Sequence, residues 1–412
     1  MKKNGKWLML ALLSLAFFFS QADRVLFGLL TIPIQEELGL NDLQIGMANT
    51  VFFVVFAAIV PLAGYVGDRF SRKWVIVCAL MFWSAMTAFT GFAGSLLGLI
   101  LFRSVLTSAG ECFYCPSAYA LISTHHKETR TLALAIHQSA LYVGLMFSGA
   151  IVAWTLKACG GWRTVFWVFG SAGFVLGVIL VKALKDGGEA KNPQCAETAQ
   201  GTFRDGCMAF VRCPTLLLNA IGFIAINFAN NAYVSWAPKF AARKFGISVG
   251  EAGSGTMFYH HVCALAAVIA AGFLTDAVVR RGFPRFRLAF QATAMFLGAP
   301  SLVFFGFAPT VASCFAATML YGIFRGAYEA NTQTSAFDVV RPENRATVVA
   351  VADLGGMLIG SLSPLLLGAL GNKYGLKGFE YGFVATGAAY LTGAACMACA
   401  ALFTFKKDRI DE

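Results

Sequence analysis

Charge is scarce in this chain. Asp, Glu, Lys and Arg make up 13% of 412 residues, hydrophobic residues make up 58%, and mean hydropathy is +0.68. A soluble domain carries about 25% charged residues, so most of this surface faces lipid. Also missing is a phosphate-binding loop of the form G-x-x-x-x-G-K-[ST], which excludes direct use of ATP. No Ser/His/Asp order, metal-ligand spacing or basic face with a nucleic-acid motif occurs. The chain therefore reads as neither an enzyme nor a nucleic-acid binder, with no cofactor beyond an ion gradient. Eleven cysteines make no extracellular disulfide framework, because only Cys159 falls clearly in an outer loop. Cys112-x-x-Cys115 and Cys396-x-x-Cys399 lie inside apolar runs and read as small packing residues.

What is present is a series of apolar runs, each long enough to cross a bilayer. They cover 7–34, 43–67, 74–94, 96–123, 131–155, 163–182, 214–237, 254–278, 286–307, 310–336, 346–370 and 380–405. The expected fold is all-α and integral to the membrane, with twelve transmembrane helices in two pseudo-symmetric six-helix bundles, 1–182 and 213–412. A polar linker, 183–212, joins them, with a short amphipathic helix near Phe203–Phe210. Twelve spans put both termini on one side. The termini and the loops on that side hold 22 Lys and Arg residues, against 7 on the other side, Lys239 and Lys244 among them. The positive-inside rule then makes the termini cytoplasmic and the protein a multi-pass component of the cell (inner) membrane. Lys2, Lys3 and Lys6 ahead of an apolar run resemble a signal peptide. Cleavage after Ser20-Gln-Ala22 would leave eleven spans and spoil the charge balance, so no cleavage is expected.

The halves echo each other. Gly64-Tyr-Val-Gly-Asp68-Arg-Phe-Ser-Arg72-Lys73 returns 208 positions later as Gly272-Phe-Leu-Thr-Asp276-Ala-Val-Val-Arg280-Arg281, with glycine, acid and paired bases at the same spacing. Each copy closes an apolar run at the base-rich side, the layout of a transporter whose two halves rock against each other. Asp68 is placed to cap one helix and Arg72 to start the next. Such charges lock the halves in one state and separate in the other, with Asp276 and Arg280 as the second copy. Gly64 is expected to let helices approach closely.

A charge near mid-bilayer costs at least about 2.5–3.5 kcal/mol on insertion scales, so each one requires an account. Asp23 and Arg24 are sequence neighbours, about 100° apart on a helix, and cannot satisfy each other. Each needs a partner on another helix, a substrate or water. The functional reading gives Arg24 to an anionic substrate and lets Asp23 carry a proton; the structural alternative is an interhelical ion pair. Arg103 and Glu111 are the charges of the fourth span. Arg325 and Glu329 stand four apart on the tenth, the spacing of a self-neutralising pair that could also meet substrate. Asp353 is near a helix end and is given no role. His137 and the His260-His261 doublet could line a cavity or serve as packing residues. Asn227, Asn230 and Asn231 form one polar stripe at i, i+3, i+4, suited to substrate hydroxyls or to helix–helix hydrogen bonds.

These residues resemble the major facilitator superfamily over essentially the whole chain. Gly64 to Lys73 is similar to its loop 2–3 signature, with Ser71 where a glycine is usual. Asp23-Arg24 followed by Gly110-Glu111 fits two branches: the anion:cation symporters of sugar acids and sialic acid, and the Spinster-like transporters of lysolipids and sphingolipids. In both, the resemblance implies proton coupling at Asp23 and Glu111, and substrate or gating roles for Arg24 and Arg103. The family's fourth-helix arginine precedes the glutamate by seven positions. Here the separation is eight, and a π-bulge near Thr107-Ser108 would absorb the extra residue. The expected activity is proton-coupled symport of a small organic anion by a monomer in the bilayer. A Spinster-like carrier of amphiphiles is the alternative. Drug/proton efflux comes third, since the fifth span, with Gly144 and Gly149, lacks the Gly-Pro antiporter pattern.

Overall fold

A computed structural model describes residues 3–126, 129–184, 203–341 and 345–410. Among these no strand occurs. The helices that bear on membrane crossing are α1 (Lys3–Leu29), α2 (Asp42–Arg69), α3 (Arg72–Thr90), α4 (Leu96–His125), α5 (Arg130–Cys159) and α6 (Trp162–Ala183). They continue as α7 (Pro214–Phe245), α8 (Val249–Arg280), α9 (Phe286–Phe307), α10 (Val311–Glu329), α11 (Arg345–Tyr374, in two segments) and α12 (Leu376–Asp408). Eleven helices among the described residues are long and apolar enough to cross a membrane. The expected tenth span, α10, is not among them: it is as long as α3, but Arg325 and Glu329 lower its hydropathy. A short helix, Phe203–Arg212, lies where the amphipathic linker helix is expected; the linker between 185 and 202 falls outside the described residues.

Three helix breaks share one cause. Proline has no N–H, and its ring collides with the carbonyl four residues earlier. Pro33 ends α1 at Leu29, so the first span does not run to Ile34 but restarts as a short helix, Thr31–Leu38. Pro116 interrupts α4 at Cys112-Phe113, and Pro364 divides α11 after Gly360. Pro61, Pro238 and Pro300 sit inside continuous helices.

The chain divides into two compact units, Met1–Asn192 with Gly246–Phe258, and Pro193–Phe245 with Tyr259–Glu412. In the first, Met9, Leu13, Phe17, Leu80, Trp83, Tyr114 and Leu180 belong to one buried cluster shared by α1, α3, α4 and α6. Small residues bring those helices together, as expected where lipid supplies no hydrophobic drive for association. A side chain at Gly170 of α6 would meet the Ala88 nitrogen and Ser84 oxygen of α3 at 2.5 Å. In the second unit Gly322 and Gly326 of α10 lie directly on the His260 and Ala264 backbone of α8.

At one end of the first unit Glu37 is a clasp. It accepts from Trp162 Nε1 at 2.6 Å and Arg163 Nε at 2.9 Å, while Arg163 Nη1 donates to the Gly91 and Ala93 carbonyls. The Arg163 hydrogen bond holds the Glu37 carboxyl below the usual carboxylate range.

Several loop expectations are corrected. Gly64 has nothing within 4 Å of where a Cβ would stand, and neither has Gly272; Gly67 is the close-approach position, 3.0 Å from Ser117 Oγ. Arg72 does begin α3, with Ser71 as N-cap, and donates to Thr124 Oγ1 at 3.0 Å. The Asp68 side chain lies outside the described residues. In the second copy Asp276 pairs with Arg287 at 3.2 Å, and Arg280 ends α8 exposed. Arg287 also holds Asp338 at 2.9 Å, so one guanidinium bridges two acids.

Candidate functional site

The mid-membrane charges of the first unit converge. Asp23 and Arg24 leave α1 in different directions, as the helical geometry requires, and each finds a partner elsewhere. Asp23 is 3% exposed, and its Oδ2 accepts from Thr87 Oγ1 of α3 at 2.7 Å. Arg24 Nε donates to Glu111 Oε2 of α4 at 2.8 Å, with the Glu111 side chain fully enclosed and Arg24 partly open. Arg24 also stacks over the Phe56 ring, 4.3 Å from its centroid.

Arg103 joins the same group by a different route. Its Nη2 donates to the main-chain oxygens of Asp23 (3.2 Å) and Arg24 (3.0 Å), and its guanidinium lies 4.4 Å from the Phe52 centroid. Arg103 sits inside a π-helical segment, Ile100–Leu106, just before Thr107-Ser108. One extra residue per turn there turns Arg103 toward α1 despite its eight-residue separation from Glu111. Arg103 Nε and Nη1, Asp23 Oδ1 and Glu111 Oε1 are buried with no hydrogen-bond partner among the described residues. Two acids and two guanidiniums on two helices thus form one cluster of balanced formal charge.

His137 belongs to the packing. It is fully buried, stacked on Phe17 at 4.6 Å, with Tyr119 against its edge. Tyr114 donates its only proton to the Leu13 carbonyl at 2.5 Å. The 3.1 Å contact between Tyr114 and His137 Nε2 is then donated by the histidine. Of the two readings of His137, cavity lining and packing, these contacts match the packing one.

In the second unit Arg325 pairs with Glu329 at 3.3 Å, as the i, i+4 spacing predicts, and also meets His260 Nε2 at 3.4 Å. His260 is enclosed by Tyr233 and Tyr321. The asparagine stripe divides. Asn227 and Asn231 face the glycine notch of α11 at Gly356 and Gly360, with Asn227 Nδ2 donating to the Phe223 carbonyl at 2.8 Å. Helix packing therefore takes two of the three amides, and Asn230 alone keeps a buried oxygen without a donor among the described residues.

Sequence reasoning missed Thr87, Phe52 and Phe56. The i, i+3, i+6 series Ser84, Thr87, Thr90 in an apolar span was the available signal for Thr87. It also put Lys239 in an outer loop, whereas α7 continues past it. Lys239 is 2% exposed beside the Trp236 and Phe379 rings.

A family model described as Major Facilitator Superfamily matches residues 12–364. An MFS-type efflux pump of Mycolicibacterium smegmatis is 26% identical over 378 residues, 89% of this chain and 85% of that protein. The mouse sphingosine-1-phosphate transporter is 29% identical over 57% of this chain, which spans 43% of its length. A D-galactonate transporter of Escherichia coli is 25% identical over 68% of this chain and 69% of its own. Among solved structures, the inward-facing, unoccupied bacterial homolog of the human lysosomal transporter Spinster matches with a TM-score of 0.86. It is 25% identical, with both chains fully covered.

Proposed function

From the premise that this chain belongs to the Major Facilitator Superfamily and is a transporter, we propose that it moves a small organic anion together with a proton, using Arg24 as the anion site and Asp23 with Glu111 as the proton carriers. The observation that carries this reading is the 2.8 Å Arg24–Glu111 pair next to the buried Asp23. While Glu111 is ionised it holds Arg24. A proton delivered to Glu111 releases the guanidinium for a substrate carboxylate. Two carboxyls buried in one cluster disfavour double ionisation, so the pair is suited to sharing one proton.

Charge balance sets the expected stoichiometry. With both acids and both arginines ionised the cluster is neutral, and adding one proton with one monoanion keeps it neutral. A charged cluster in this setting would be heavily penalised. Loading is therefore expected to be one to one and the step electroneutral. Arg103, tied to two main-chain oxygens, fixes α4 against α1.

A second reading, an amphiphile with an anionic head, draws on the Phe52 and Phe56 rings beneath the two guanidiniums and on the likeness to the Spinster homolog. Proteoliposomes with an alkaline interior are expected to accumulate a labelled sugar acid. Asp23→Asn is expected to keep ligand-induced thermal stabilisation and lose uphill accumulation. If no acid in a panel moves with protons, the symport reading fails; stabilisation by a lysophospholipid alone transfers it to the second reading.

A further inference from the structure

An open pocket of about 710 Å³ lies in the second unit, between the turn joining α8 to α9 and the last turns of α12. It is far in sequence from the charge cluster of α1 and α4 and shares no residue with it. Its walls have two kinds of chemistry. Arg285, Lys406 and Arg409 supply cationic heads, and Phe283, Phe286 and Leu402 supply apolar surface. Arg285 and Lys406 make no ion pair with a described carboxylate. The nearby acids are already engaged: Asp276 and Asp338 by Arg287, and Asp408 by the Thr215 N–H at 2.9 Å. Among the described residues, these contacts leave Arg285 and Lys406 without a carboxylate partner.

The apolar rim is exposed outward. Phe283 is 64% exposed, Leu402 69% and the adjoining Phe403 76%, exposure that suits acyl chains and not water. Lys406 stands one helical turn beyond Leu402 on α12, and Arg285 two residues beyond Phe283 in the turn before α9; long basic side chains so placed reach from hydrocarbon to headgroup level. A basic pocket at the base-rich ends of membrane helices, continuous with lipid-facing aromatics, matches an anionic phospholipid. We propose that this pocket binds the phosphate headgroup of an anionic phospholipid, with Arg285 and Lys406 as principal contacts and Phe283 and Leu402 against the proximal acyl chains.

The test uses the full-length protein in nanodiscs of phosphatidylcholine with increasing phosphatidylglycerol. Lipid retained on the protein is read by native mass spectrometry after release. Phosphatidylglycerol should be retained at least fivefold over phosphatidylcholine, and Arg285→Gln/Lys406→Gln should remove that preference. Arg281→Gln/Lys407→Gln carries the same charge change at the same end but lies off the pocket, and should keep it. Lys406→Glu, at an exposed position, should reduce retention about threefold by itself. Equal retention of the two lipids by the wild type, or equal losses in both double variants, overturns the proposal. So does full displacement of phosphatidylglycerol by millimolar inorganic phosphate, which would mark a free-anion site.

Discussion

Replacing Glu111 by Gln tests the coupling at its most exposed point of logic. Glutamine has the shape of the protonated acid and keeps an oxygen for Arg24 Nε, now 2.8 Å from Glu111 Oε2. It cannot carry the charge that holds the guanidinium. In the wild type above the titration of Glu111, each rise of one pH unit makes the proton that must accompany the anion tenfold scarcer. Anion affinity should then fall about tenfold, or about 1.4 kcal/mol, per unit. In Glu111→Gln the guanidinium is always available, so affinity should be flat with pH and at least equal to the wild type's low-pH value. The variant also leaves a partly buried cation without its carboxylate, a cost of up to about 3 kcal/mol in the absence of substrate. Bound anion should offset this, so ligand-induced thermal stabilisation should be larger in the variant. Calorimetric titration of the transported anion at pH 6, 7 and 8 measures the slope, and proteoliposome uptake measures coupling. A variant with the wild-type pH slope would refute the assignment of the proton to Glu111.

Other consequences are local. Gly170→Ala should destabilise the first unit by about 1–3 kcal/mol, because backbone atoms at 2.5 Å leave no room. Gly64→Ala, in open space within a helix, should be neutral or stabilising by up to about 1 kcal/mol; thermal melting of both variants in detergent decides the pair. Burial pushes the Asp338 carboxyl up while Arg287 opposes it. Removing the arginine should raise it further in the folded state alone, so its contribution to stability declines as pH climbs through and above the carboxylate range. Arg287→Gln should therefore lose more melting temperature at pH 8 than at pH 5, and an equal loss at both would contradict this. Cys159 is exposed at the end of α5. With every other cysteine replaced, it should react with a membrane-impermeant maleimide on intact cells; labelling only after permeabilisation would invert the proposed orientation.

What the sequence determined was whatever depends on local period and composition. Apolar runs of membrane length gave the helices, because every backbone polar group inside a bilayer must be satisfied within its own segment. The 100° step along a helix already required that Asp23 and Arg24 be satisfied by different partners, and prolines carried the breaks at 30, 113 and 361 in the chain itself. Tertiary structure decided which partners were chosen. Thr87 for Asp23, Glu111 for Arg24, Arg287 for Asp276 and two glycines of α11 for the asparagine stripe are all pairings across helices. They depend on which faces pack together and on where α4 takes its π-helical turn. The same packing made Gly67 rather than Gly64 the close contact and drew Lys239 into an aromatic enclosure. A single chain's spacing fixes the direction in which a side chain leaves its own helix, but the rotation of the neighbouring helix decides what it meets.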